Sequence, residues 1–414
     1  MNDHSVIERV AQHCLRPVDD AARTRARLHL LDWLACVAGA RQTAVAAVVA
    51  KAEPDIHLRA AFLGNVLEMD DIERCALLHP GPVVWPAVLA AALETGCSLD
   101  AMLDGAVRGY EAMIAIGTTF DARHYAHYHN TATAGGFGAA AAAASIYGCD
   151  TNALAWALGN AGSVAGGLWH MRHDDVMTKQ FHAAHAALTG LRAARMAQHG
   201  FTGPRAILEG AQGLYSATMA APKPLVLTDT WAMTRVSFKP WAACRHAHPV
   251  IDCALELRRT GQLQPPFRIE TYRDAIVFCD RPNPVTETDA KFSLQHAVAV
   301  VADGRNADPA DFTLAAIADL ALLRAQVSVS EAADITSRYP AHFGARMHSR
   351  TASVERIDTL GDPERPLNQA GLTAKARTLA AWGGLTDTNA DRMIGLALEG
   401  NDPALISRML EGWL

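Results

Sequence analysis

The chain has 414 residues, half of them hydrophobic and 19% charged, with a formal net charge of −6. That length suits two domains better than one core, and the acidic balance argues against a nucleic-acid partner because no domain-wide basic surface is available to displace counterions. No apolar run reaches the roughly 18 residues of a membrane span, and the opening MNDHSVIERVAQHC lacks the charged-then-apolar order of a signal peptide. Both points lead to the expectation of a cytoplasmic enzyme with no membrane partner. The eight cysteines form no CxxC pair and read as reduced thiols.

Taken in order, Val6, Ile7, Val10 and Ala11 and then Leu28 to Leu34 recur at helical spacing, which predicts helices from Ser5 to about Gly39. The second is apolar nearly all round, so other helices must cover it. The same pattern predicts helices over Ala60–Leu67, Val83–Leu93, Leu99–Thr118, Ala132–Tyr147 and His182–Gln198. Ala139–Ser145 follows TATAGGFG, so small residues dominate a whole helix and neighbouring backbones can approach it closely. Residues 1–220 therefore read as an all-helical domain. Beyond Pro222 the character changes: β-type runs at Thr234–Phe238, Ile269–Thr271, Ala275–Phe278 and Ala352–Leu360 mix with helical stretches at Val250–Arg259, Phe292–Val301 and 313–336. Residues 221–369 form a smaller α+β domain on this reading. Amphipathic helix returns over Leu372–Trp382 and Ala390–Leu414, so 370–414 is expected to complete the first domain, and the fold class is mainly α.

Four clusters carry candidate chemistry. Glu68, Asp70, Asp71, Glu73 and His79 lie on an irregular segment, where a His-Pro-Gly turn fixes His79 at an element junction. Three acids in four residues could hold a metal, but Met69 and Ile72 break the ligand spacing of a calcium loop. In HYAHYHNTATAGGFG, His129 precedes Asn130 and Thr131, which suit an N-cap, so a carboxylate could dock beside His129 on free backbone N–H groups. His-x-x-His pairs at 124 and 127 and at 170 and 173 also suggest zinc, without the glutamate of a HEXXH site. Lys179 enters a small-residue helix with His182 and His185, and a buried lysine there needs a partner or a function. Lastly, SFKPWAACRHAHPVIDC sets Lys239, Arg245, His246 and His248 just ahead of a helix with proline in its first turn, which reads either as an anion site or as a solvated basic loop.

In order along the chain, HPGPVVWPAVLAAAL, TATAGGFGAAAAAA, TKQFHAAHAALTGLRAARMAQHGFTGP, KPWAACRHAHPVIDCALEL, DAKFSLQHAVAVVADG and GDPERPLNQAGLTAKAR resemble the MmgE/PrpD family. That family includes 2-methylcitrate dehydratases, cis-aconitate decarboxylase and an iminodisuccinate epimerase. The resemblance implies a large helical domain carrying a smaller lid domain, a homodimer, no metal or organic cofactor, and an active site in an interdomain cleft. By motif it assigns His79, His129, Lys179 and Lys239 to the carboxylate-binding and proton-transfer pocket, with Cys244, Arg245 and His248 close by. Glu68, Asp70, Thr131, Arg245 and His248 are the expected substrate-binding residues. Where the family commonly reads LDFDDT, this chain has Leu67-Glu68-Met69-Asp70-Asp71-Ile72, and Phe278 stands where the decarboxylase offers a tyrosine.

The expected activity is a cofactor-independent lyase acting on a small di- or tricarboxylate, most simply a hydroxy-acid dehydratase. Negative charge builds next to a carboxylate in such a reaction, and Lys179, Lys239 and Arg245 suit that charge. His79 and His129 are the acid and base candidates. The alternatives are an isomerase of a similar acid and a protein that binds a carboxylate without turnover.

Overall fold

The computed structural model describes residues 4–414. Contacts divide the chain into two compact units. The first takes the chain up to Val66, Asp70–Val236 and Gly383–Leu414, and the second takes Ser237–Trp382 together with Leu67–Met69 from the other half of the sequence.

The first unit is helical: α1 (Val6–Cys14), α2 (Asp20–Ala40), α3 (Ala44–Ala52), α4 (Ile56–Leu63), α5 (Gly81–Thr95), α6 (Leu99–Gly117), α7 (Ala122–His127), α8 (Asn130–Ile146), α9 (Thr151–Ser163), α10 (Thr178–Ala197) and α11 (Leu214–Thr218). Short polar side chains start most of them. Ser5 accepts from the Glu8 N–H while the Glu8 carboxylate accepts from the Ser5 N–H, a reciprocal box that satisfies two orphan donors of α1. Asp19, Thr43, Ser98 and Asp150 cap α2, α3, α6 and α9, each side chain accepting from one helix N–H.

The small-residue helix α8 is buried along most of its length and packs on α5, α6, α9 and α10. Glycines set those approaches. A Cβ on Gly109 of α6 would lie 2.8 Å from the Gly138 carbonyl oxygen, and one on Gly190 of α10 would lie 2.5 Å from the Ala140 nitrogen and the Gly136 carbonyl oxygen. Among the described residues, no single helix is long and apolar enough to cross a membrane, and the α2–α3 pair that reaches that size together is bent by 93°.

The second unit contains α12 (His248–Arg259), β1 (Phe267–Thr271), α13 (Arg273–Cys279), α14 (Glu287–Lys291), α15 (Leu294–Ala302), α16 (Leu314–Asp319), α17 (Ala321–Arg324), β2 (Val327–Glu331), α18 (Ala333–Thr336), β3 (Ala345–His348), β4 (Ser353–Arg356) and α19 (Gln369–Trp382). The strands run in the order β2-β1-β3-β4. β1 pairs parallel to β2, with Phe267 opposite Val327, and antiparallel to β3, with Ile269 opposite Met347; β3 and β4 are antiparallel. Phe267, Ile269, Ala345 and Met347 are buried, and α12 packs on β3, β4 and α15. The chain then returns to the first unit as α20 (Asp387–Glu399) and α21 (Pro403–Glu411).

Three local expectations fail. Ala275–Phe278 is part of α13, because Ala275, Phe278 and Cys279 are buried at helical rather than alternating spacing. Thr234–Phe238 enters through a 3₁₀ turn at Ala232–Arg235 instead of a strand. The predicted helix over 313–336 breaks after Arg324, and its VSVSE segment, which alternates with period two, becomes β2. Helix α19 lies with the second unit, and the first unit resumes at Gly383.

The close α8–α10 approach makes Gly190→Ala destabilising by about 1–3 kcal/mol through overpacking. In α20, a Cβ on Gly395 would meet no described atom within 4 Å, so Gly395→Ala should stabilise by about 0.5–1 kcal/mol. Denaturation midpoints of the two variants against the parent chain check both signs.

Candidate active site

The candidate residues of the first unit are arranged around Asp71. Its carboxylate is 2% exposed and accepts from the Tyr110 hydroxyl at 2.6 Å and from the Gly81 N–H at 2.8 Å, while His29 Nδ1 lies 2.7 Å away. Trp85 Nε1 donates in turn to the Tyr110 oxygen at 3.1 Å. A Cβ on Gly81 would stand 2.7 Å from Asp71 Oδ1, so the His-Pro-Gly turn needs its glycine to admit this carboxylate. Burial raises the Asp71 carboxyl to about 6 against the lowering effect of the Tyr110 and Gly81 hydrogen bonds.

The backbone of Asp71 then fixes His79. His79 Nδ1 lies 3.0 Å from the Asp71 carbonyl oxygen and 2.8 Å from Asp70 Oδ2. A carbonyl can only accept, so Nδ1 carries a proton and Nε2 is left for other work. The His79 N–H donates to Thr131 Oγ1 at 3.0 Å, and Asn130 Nδ2 donates to the Ala76 carbonyl oxygen at 2.7 Å. Asn130 and Thr131 were expected as N-caps of α8. Instead they lie inside the helix and reach across to the 76–79 segment, and the cap position belongs to His129. Thr131 is fully buried in this supporting contact.

His129 Nδ1 lies 3.2 Å from His182 Nδ1 on α10, and its ring lies 4.5 Å from that of Trp169. Burial, then the charges of Lys179 and His182, hold His129 well below the usual imidazole range. His182 is lowered as well, by burial and then by His185. Two neutral imidazoles can share one hydrogen bond, one donating and the other accepting. Lys179, expected to be buried, is half-buried in the first turn of α10. The structure therefore brings Asp70, His79, Thr131, His129 and Lys179 into one neighbourhood of the first unit and adds His182. His124 is fully buried in the core, lowered to about 4 by burial, whereas His127 is exposed.

The second unit holds the other predicted residues. Lys239 is fully buried with its Nζ 3.6 Å from Glu68 Oε2. Glu68 itself has φ +57, a left-handed conformation that a non-glycine residue adopts only under constraint. Lys375 of α19 donates to the next carbonyl, that of Met69, at 2.5 Å. Two lysines thus grip the Leu67–Met69 segment.

Arg245 is 2% exposed, pairs through one NH2 group with Asp362, and lies over the Phe343 ring at 5.6 Å. Its Nε and other NH2 group find no acceptor among the described residues. Asp362 also accepts from the Ser237 hydroxyl at 2.7 Å and the Thr359 N–H at 3.0 Å. Burial works to raise its carboxyl, but the Arg245 charge and these hydrogen bonds outweigh it and hold the group below the usual range.

His248 opens α12, where its Nε2 donates to the Ala243 carbonyl oxygen at 3.1 Å. Burial first, then the Arg245 and Lys239 charges, keep it well below the usual imidazole range. Cys244 hydrogen-bonds with Cys279, whose thiol burial pushes far up. Phe278 stacks on His246 at 5.1 Å. Among the described residues, His342, Asp358 and Glu364 bring ligand-type atoms within 4.8 Å of one another, with His342 Nδ1 2.8 Å from Asp358 Oδ1.

Sequence reasoning did not assign roles to Asp71, His182 or Asp362. His182 sits three residues after Lys179, on the same helix face, and that spacing was the available signal. Asp362 lies in GDPERP, quoted for its resemblance and not for its chemistry.

Residues 57–226 match the MmgE/PrpD N-terminal domain, and residues 241–399 match the MmgE/PrpD C-terminal domain. The chain is also similar to cis-aconitate decarboxylase of Homo sapiens, with 27% identity over 286 residues, covering 61% of this chain and 57% of that protein. The match therefore spans little more than half of the human protein's length.

The raised Asp71 carboxyl has a signed consequence. A buried acid titrating near 6 against a reference of 3.8 adds stability that is fully present below the reference value and is lost as pH rises through the folded one. Between about pH 4 and pH 6 the parent chain should lose more stability than Asp71→Asn, which has no carboxyl to ionise there. Urea-unfolding midpoints at the two pH values test the difference, and equal slopes would remove Asp71 from the account.

Proposed function

The chain belongs to the MmgE/PrpD family, and on that footing we propose that it is a cofactor-independent lyase acting on a small di- or tricarboxylate, in its simplest form a dehydratase of a 2-methylcitrate-type hydroxy acid. The observation that carries the reading is the tautomer of His79. Its Nδ1 donates to the Asp71 carbonyl, with Asp70 Oδ2 2.8 Å away, so Nε2 is left as a base on a ring that the Asp71 main chain orients. His129, with its partner His182, supplies the second proton-handling group. Lys179, Lys239 and Arg245 are the cations that offset charge building next to the substrate carboxylate.

On this proposal the base removes a proton α to a carboxylate, the cations hold the resulting enediolate-like anion, and an acid protonates the departing hydroxyl. Water leaves and a carbon–carbon double bond forms. The decarboxylation named for the human relative is the second reading, favoured by the 27% identity. There, CO₂ leaves and the acid protonates the carbanion. Against it stand Ile72 and Phe278, which replace a hydroxyl-bearing residue and a tyrosine with apolar side chains.

Incubation with citrate-type and aspartate-type acids in D₂O, followed by NMR, separates the possibilities. A new alkene with no CO₂ is the expected result, and CO₂ release would select decarboxylation. Label with loss of optical activity and no alkene would select an isomerase. No change in any acid would overturn the enzymatic reading.

His79→Asn should lower kcat by about 10²- to 10⁴-fold with an unchanged far-UV spectrum. For the lysine, truncation alone removes a buried cation from beside the Glu68 carboxylate, at a cost of about 3–5 kcal/mol. The charge-balanced pair Lys239→Met with Glu68→Gln is therefore the informative variant. It should fold and fail to turn over, and parent-like kcat/KM would sink the assignment of Lys239.

A further inference from the structure

Within the first unit, α8, α9, α10 and the 164–167 loop line a half-open cavity of about 300 Å³. Ala132 and Gly136 of α8, Ala161 of α9 and Gly166 of the loop form its walls, with Phe181 and His182 of α10 completing them. None of the described residues lining it is Asp, Glu, Lys or Arg.

Two of its glycines differ from those that set the helix packing. At Gly190 an added Cβ would collide with the α8 backbone, whereas at Gly136 the nearest atom would be Ala161 Cβ at 3.6 Å, and at Gly166 no described atom would lie within 4 Å. Helix packing does not demand glycine at either place. Their effect is to keep space open, and open apolar space costs stability unless something fills it. The cavity also adjoins the candidate chemistry: His182 forms part of its wall with Nδ1 3.2 Å from His129 Nδ1, and Ala132 lies on the first turn after His129. Phe181, at 56% exposure, gives one wall an apolar surface facing solvent.

We propose that this cavity holds an aliphatic substituent of several carbons carried by the carboxylate substrate, so that the protein selects alkyl-substituted acids over unsubstituted ones. The assignment rests on the carboxylate reading above. A water-sized group occupies about 30 Å³, so the space admits roughly ten heavy atoms. Gly136 and Gly166 are its specificity-determining positions.

The test is a calorimetric titration of the full chain with succinate and with 2-methyl-, 2-propyl-, 2-butyl- and 2-hexylsuccinate. Burying each added methylene should tighten Kd about three- to fourfold until the cavity is full. Gly136→Leu and Gly166→Leu, which fill it from a helix and from a loop, should each bring the ratio of succinate to butylsuccinate Kd down towards one. A flat series in the parent chain overturns the proposal without need of any variant, and is also the outcome if a second copy of the chain covers this face. A gain that persists in both leucine variants overturns it too. If the series is flat while succinate binds and citrate-type acids turn over, the substituent site falls and the carboxylate reading stands. If 1-hexanol binds, is lost in Gly136→Leu, and no succinate binds, the carboxylate reading falls and takes this assignment with it.

Discussion

A single buried carboxylate organises the candidate site of the first unit. Asp71 is removed from water among His29, Tyr110 and the first N–H of α5, and each of those contacts repays part of the cost of taking a carboxylate into the core. The result is positional. The side chain anchors the start of α5, the main chain of the same residue sets the ring of His79, and Thr131 and Asn130 hold the intervening turn to α8. A histidine tied to a loop alone would wander, and this one is referred to the helices α5 and α8.

The second unit solves a different electrostatic problem. It buries cations, two of them with an acid nearby: Lys239 has Glu68, and Arg245 has Asp362. The pairing is incomplete for Arg245, which keeps donor groups without acceptors among the described residues. Buried donors of that kind are expensive unless an anion or water satisfies them. The left-handed backbone of Glu68 lies in the same arrangement, at the acid that pairs with the lysine of a segment some 170 residues further along.

Helical spacing carried most of the first unit, since α2, α6 and α8 repeat their apolar or small residues over many turns and each turn reinforces the last. The short elements of the second unit were less legible. Val327–Glu331 alternates for only five residues beside a helical stretch, and Ala275–Phe278 offers β-branched residues at a position where burial recurs every three to four. At the site, the histidines and lysines stood out as residue types, and ordered motifs tied them together. Their partners did not. Asp71 looked like one acid among four, Thr131 like a cap, and His182 like a neighbour of Lys179, because which partner a polar side chain finds is decided by tertiary contacts between segments far apart in sequence.

The Leu67–Met69 segment has a bearing on how this protein could be divided or inherited. Three residues from the early part of the chain lie with the second unit, where Glu68 meets Lys239 and the Met69 carbonyl meets Lys375. Residues 237–382 cut out as a fragment would keep both lysines and lose both of those partners, although the fragment is continuous in sequence. The unit is thus not a transferable module. A gene exchange that swaps residues 237–382 between relatives keeps these two contacts when it carries the 67–69 codons along.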